Sequence, residues 1–158
     1  MLAALLLTSC QDEDIPSPSS TAVPWTSHAA VQVDTAFIMA PNLVTPNRDG
    51  INEVFHVISR HCTDLRTDVF RMNGSMAFGS DDLHPVWSGI DSTDLGRYRV
   101  HLQATSTSGQ LLVAHSYLDI MDYSGADCLS FQGTPITGDQ FDPRVFGVTY
   151  ASIENFCP

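Results

Sequence analysis

Eighteen carboxylates face seven bases in this chain of 158 residues, for a net charge of −11, and all seven bases are Arg. A surface of that sign repels nucleic acid, and no basic patch along the chain overrides it. The hydrophobic content of 43% belongs to a globular protein with a packed core plus appendages, which excludes wholesale disorder.

The chain begins with MLAALLLTSC. This apolar run is far shorter than the roughly 20 residues a spanning helix needs. It ends in Leu7-Thr8-Ser9-Cys10, which resembles the lipobox of bacterial lipoproteins, whose leader is cleaved before a Cys that then carries lipid. The resemblance implies a signal peptide over residues 1–9 and a lipid anchor on Cys10. One departure is that no Lys or Arg precedes the apolar run, where a signal n-region has them. Residues 10–30 follow as the anchor and a tether, with three acids in four residues and then Ser, Thr, Pro and Ala with little to bury. An acidic cluster behind a lipidated Cys also resembles the surface-export signal of Bacteroidota lipoproteins; a plain solvated linker has the same composition. Trp25 lies in this stretch and can dock on the domain or on a partner.

From residue 31 the pattern changes to that of short strands. In VQVDTAFIM, residues 31–39, Val31, Val33, Thr35 and Phe37 alternate on one face. EVFHVI (53–58) and DVFRM (68–72) are two further strands. In RYRVHLQA (97–104), Tyr98, Val100, Leu102 and Ala104 share one side, and Arg97, Arg99, His101 and Gln103 the other. After a polar turn, QLLVAHSYLDIM (110–121) places Leu112, Ala114, Ser116, Leu118 and Ile120 together, which predicts a long antiparallel hairpin with one wet side. With no sustained helical period, the expectation is an all-β chain: an immunoglobulin-like antiparallel β-sandwich over 31–122, with a disulfide-held C-terminal extension over 123–158.

Within that frame FIMAPNLVTPNRDGINEVF, residues 37–55, resembles the start of the gliding-motility-associated C-terminal domain, the type B sorting domain of type IX secretion. Phe37, Pro41, Asn42, Thr45, Pro46, Asn47, Asp49, Gly50, Asn52 and Phe55 fall on its pattern, and Glu53 replaces an Asp. DVFRMNGSMAFGS (68–80) is similar to a later strand pair, without its Arg-Trp. VWSGID (86–91) resembles a W-D-G element with Ser88 for Asp, and residues 95–121 its closing G-x-Y hairpin. The family implies a cell-envelope binding or structural module rather than an enzyme. Expected partners are the membrane, through the lipid, and secretion, adhesin or gliding-machinery proteins. The expected location is the outer membrane, at the cell surface or on the periplasmic face. The family's domain usually ends a large secreted protein, so behind a short tether the expectation is an accessory lipoprotein or assembly partner.

The cluster Asn47, Asp49, Asn52 and Glu53 admits two readings. Pro46 fixes one backbone angle and Asp49-Gly50 suits a turn with positive φ, while Asn and Asp side chains accept backbone N–H groups. Calcium is the alternative: Thr45, Asn47, Asp49, Ile51 and Glu53 sit at EF-hand-like positions, but His56 stands where that loop needs a bidentate Glu. His56, His61 and Cys62 lie close enough in sequence to suggest zinc, although a strand position and a loop position do not obviously converge. Asp81, Asp82, Asp91 and Asp94 flank Trp87 in the manner of a sugar platform, and this makes a surface carbohydrate-binding lipoprotein the alternative function. No nucleophile elbow, P-loop or zinc-protease motif is present.

Cys10, Cys62, Cys128 and Cys157 form no CxxC pair, which removes zinc ribbons and thioredoxin-like chemistry and fits an oxidising compartment. With Cys10 lipidated, one bridge remains: Cys128–Cys157, or one that uses Cys62. Phe131, Phe141, Phe146, Tyr150 and Phe156 between or near the last two cysteines predict a tail that packs rather than a disordered one.

Overall fold

The computed structural model describes residues 29–121 together with residues 23, 25, 26 and 128. In chain order its strands are β1 (Trp25–Thr26), β2 (Ala30–Val33), β3 (Ala36–Met39), β4 (Leu43–Val44), β5 (Phe55–His56) and β6 (Ile58–Arg60). They continue with β7 (Cys62–Arg71), β8 (Met76–Ser80), β9 (Val86–Trp87), a 3₁₀ turn (Ser92–Asp94), β10 (Gly96–Ser106) and β11 (Leu111–Ile120). The described residues are all-β. They form a six-stranded sheet in the order β1-β11-β10-β7-β8, with β4 also on β11, a three-stranded sheet β2-β3-β6 and a two-stranded sheet β5-β9.

The expected hairpin is the spine of the large sheet. β10 and β11 pair antiparallel from Gly96↔Ile120 to Thr105↔Leu111. Its alternation is the one read from sequence: Tyr98, Val100, Leu102 and Ala104 are buried, as are Leu112, Ala114, Ser116, Leu118 and Ile120. These side chains join Leu65 and Val69 of β7, Ala36 and Ile38 of β3, Phe55 and Val57 in one cluster. All the sheets therefore share one core. Each large apolar side chain taken fully out of water there contributes about 1.5–3 kcal/mol.

Four expectations are corrected. Residues 31–39 are two strands, not one: Val33 pairs with Ala36 across a two-residue turn, with Asp34 at φ 54°. Asp tolerates the left-handed region that such tight hairpins need, and β3 is buried on both faces, so its alternation carried no signal. Residues 53–58 also split, at Val57. Phe55 and His56 pair with β9, whereas Ile58–Arg60 pairs with β3, so this segment crosses between sheets. The sheet is not purely antiparallel, because β1 and β4 both lie parallel to β11. The strand read over 68–72 is longer than expected and starts at Cys62, with Leu65, Thr67 and Val69 facing inward between polar neighbours. Residues 10–22 and the aromatics of the tail lie outside the described residues.

Two of the buried hydroxyls stand apart from the others. Thr67 and Ser116 are completely buried, and neither side-chain oxygen has a hydrogen-bond partner. A buried hydroxyl without a partner costs about 1–3 kcal/mol. Thr67→Val keeps the shape and removes that group, so it should stabilise the fold by about 1 kcal/mol and raise the melting temperature by a few degrees. A lower melt would show that the hydroxyl is satisfied.

Candidate functional site

Phe55 and Trp87 are direct partners in the small sheet. Phe55 ends the turn-rich motif and Trp87 opens the W-S-G element, so this pairing brings together two loops distant in sequence. They line one cleft of about 740 Å³, with Pro46, Asn47, Arg48, Glu53 and Val54 from the first and Gly89, Ile90, Asp91 and Ser92 from the second.

The first loop is closed by Thr45, whose amide donates to Asn52 O at 2.8 Å and whose hydroxyl donates to Ile51 O at 3.2 Å. Inside it, three consecutive amides find side-chain acceptors. Asp49 N–H donates to Asn47 Oδ1 (3.2 Å), Gly50 N–H to Glu53 Oε1 (3.2 Å) and Ile51 N–H to Asp49 Oδ1 (2.8 Å). Asn47 Nδ2 also donates to Asp49 Oδ2 at 3.1 Å. The backbone alternates into the left-handed region at Arg48 (φ 67°), Gly50 (88°) and Asn52 (54°). Gly and Asn take that conformation readily, but Arg takes it only under constraint. These bonds form a self-bonded corner. Among the described residues, no three His, Cys, Asp or Glu side chains are grouped to hold a metal.

The second loop turns at Gly89 (φ 76°), buries Ile90 and enters the 3₁₀ turn through a capping box. Asp91 Oδ1 accepts from the Thr93 amide (2.8 Å) and hydroxyl (2.7 Å), and these bonds hold its carboxyl below the usual range. Ile90 and Asp91 were not singled out as cleft residues from sequence. The D-S-T-D capping spacing was the available signal.

The remaining candidate residues are dispersed. His56 lies in β5, and burial pushes its imidazole below the ordinary value. His61 Nδ1 is 3.1 Å from Thr35 O, and the Cys62 thiol donates to Arg60 O at 3.3 Å. Cys62 is a free thiol, raised by burial, so a bridge through it is not formed. Cys128 is among the described residues, whereas Cys10 and Cys157 lie outside them. Trp87 is stacked on Phe78 at 5.7 Å and meets Tyr98 edge-on at 5.7 Å. Of the acids around it, Asp81 bonds Arg66, Asp82 bonds Ser80, and Asp91 and Asp94 cap the 3₁₀ turn. These contacts tie Trp87 and the four acids into the fold.

The family model described as the CHU_C type IX secretion signal domain matches residues 38–127, more than half of the chain. The chain belongs to this family. No curated protein and no solved structure matches it. The match takes in both cleft loops and the β10–β11 hairpin, so two of the segments that carried the sequence resemblance, 37–55 and 86–91, line the cleft of this type IX secretion signal domain.

Gly50 separates backbone strain from crowding, because no atom lies within 4 Å of where its Cβ would stand. Gly50→Val should destabilise the domain by about 1–3 kcal/mol through positive φ alone. Gly50→Asn should cost well under half of that, since Asn tolerates the same angles. Thermal melts of both variants check this, and equal losses would show that conformation is not the cause.

Proposed function

We propose that this chain is a non-catalytic module of the cell envelope whose folded cleft is the surface recognised by type IX secretion components. The carrying observation is that the family's two loop motifs line one cleft. Their polar groups are spent on shaping its walls: Asn47, Asp49, Glu53 and Asp91 all accept bonds from their own loops. Arg48 is held in a costly conformation at the rim. That is the design of a rigid recognition surface rather than of a reacting centre. The finer architecture we infer is immunoglobulin-like. Tyr98, near the start of β10, donates its hydroxyl to Asp94 O at 2.6 Å, the short backward bond of a tyrosine corner.

The lipobox-like Leu7–Cys10 supports a lipid anchor and an outer-membrane location, and we infer that Cys128 pairs with Cys157 to close the aromatic tail. Non-reducing peptide mapping tests that pairing. The functional test is expression in a host competent for type IX secretion. Protease shaving of whole cells should remove the chain, and Arg48→Gly combined with Asp91→Ala should leave it inside without altering its melt by more than a few degrees. Cys10→Ser should move it from the membrane to the soluble fraction. Surface exposure that is unchanged by the cleft substitutions would overturn the recognition role, and unchanged membrane association would overturn the anchor.

A further inference from the structure

The outward face of the large sheet carries a second constellation, away from the cleft. His101 of β10 and His115 of β11 are directly opposed partners, with ring centroids 4.5 Å apart. The hairpin closes through Ser106 N–H to Gln110 O, so hydrogen-bonded pairs fall on even-numbered residues of β10. His101–His115 is therefore a non-hydrogen-bonded pair, the kind in which side chains stand closest. Asp68 of β7 lies opposite His101 on its other side, its Oδ1 held by Arg66 Nε at 2.9 Å.

We propose that His101 and His115 form a cross-strand chelate for a borderline divalent transition ion of the Zn²⁺, Cu²⁺ or Ni²⁺ class. Imidazole nitrogens bind these ions at about 2.0–2.1 Å, so two nitrogens on one ion stand roughly 3 Å apart. Centroids 4.5 Å apart put one nitrogen from each ring within reach of a shared ion. The register fixes the pair as firmly as it fixes the core, since a one-residue slip would turn both rings to the other face. Aromatic walls surround the pair. Trp25 lies 5.0 Å from His101 and 5.2 Å from His115, and Phe70 lies 5.4 Å from His101. The net charge of −11 concentrates cations at the surface. No group of three His, Cys, Asp or Glu completes the shell among the described residues, so water or a ligand from a partner occupies the other positions.

Calorimetric titration of the purified protein with Zn²⁺ and with Cu²⁺ tests the assignment. One saturable site per chain is expected, tighter for Cu²⁺, and weakened at least tenfold by His101→Asn and by His115→Asn but not by His61→Asn or His84→Asn. Cu²⁺ should also quench Trp25 emission, and Trp25→Phe should abolish that quenching while leaving the heat of binding. Should either histidine variant melt early, the long-range imidazole ¹H–¹⁵N spectrum of the unaltered protein decides, with Zn²⁺ expected to move the His101 and His115 resonances together. Absence of saturable binding, binding insensitive to both substitutions, or movement of other imidazoles alone would overturn it.

Discussion

The alignment of β10 against β11 and β7 is the constraint on which the rest of the structure depends. Strand side chains alternate with a period of two, so the observed register puts Val100, Leu102, Ala104, Leu112 and Leu118 inside and a slip of one residue puts charge there. On β10 the outward residues are Arg97, Arg99, His101 and Gln103. Turning two or three of those into the core would cost more than a domain's whole margin of stability. The hairpin is thus self-specifying, and the two small sheets need only cover the face that it presents.

The scarcity of positive charge shows how the wet face is held. Arg97 bonds both oxygens of Asp119, at 2.8 and 3.0 Å, while its guanidinium lies 5.6 Å from the centre of the Tyr117 ring. Arg60 lies over Phe37 and Arg71 over Tyr98. A planar guanidinium can stack and form ion-pair bonds at once, and in this chain with no Lys both Arg97 and Arg71 combine a ring contact with a carboxylate. The same face receives Trp25, which stacks on Tyr117 at 5.1 Å and remains 38% exposed. The side read as wet is therefore partly covered by an element from the stretch read as tether.

Legibility in the sequence followed the strength of alternation. The hairpin had ten or more residues of clean period two and was readable in both faces and partners. β7 was readable only at its end, because Thr67 is polar yet buried and masks the inward stripe. β3 is buried on both faces and had no period to read, and the Asp34–Thr35 turn lacks the Gly that marks most tight hairpins. The first cleft loop was legible because its chemistry is local: Asn, Asp, Gly and Glu satisfy each other within a few residues. Its union with Gly89–Ser92 was not, since that depends on the pairing of Phe55 with Trp87 across more than thirty intervening residues.

That long-range pairing also explains why two loops with little core of their own hold a defined cleft. β5 and β9 are two residues each, too short to be stable as an isolated ribbon. Phe55 is fully buried and Trp87 is packed between Phe78 and Tyr98, so the pair is fixed by the side chains beneath it rather than by its few backbone bonds. Phe78 belongs to β8 and Tyr98 to β10, so these aromatic contacts help to anchor the cleft to the large sheet. A surface mounted this way inherits the rigidity of the sheet. In the W-S-G element Trp87 does the mounting, Gly89 supplies the positive φ of the turn, and Ser88 between them is exposed.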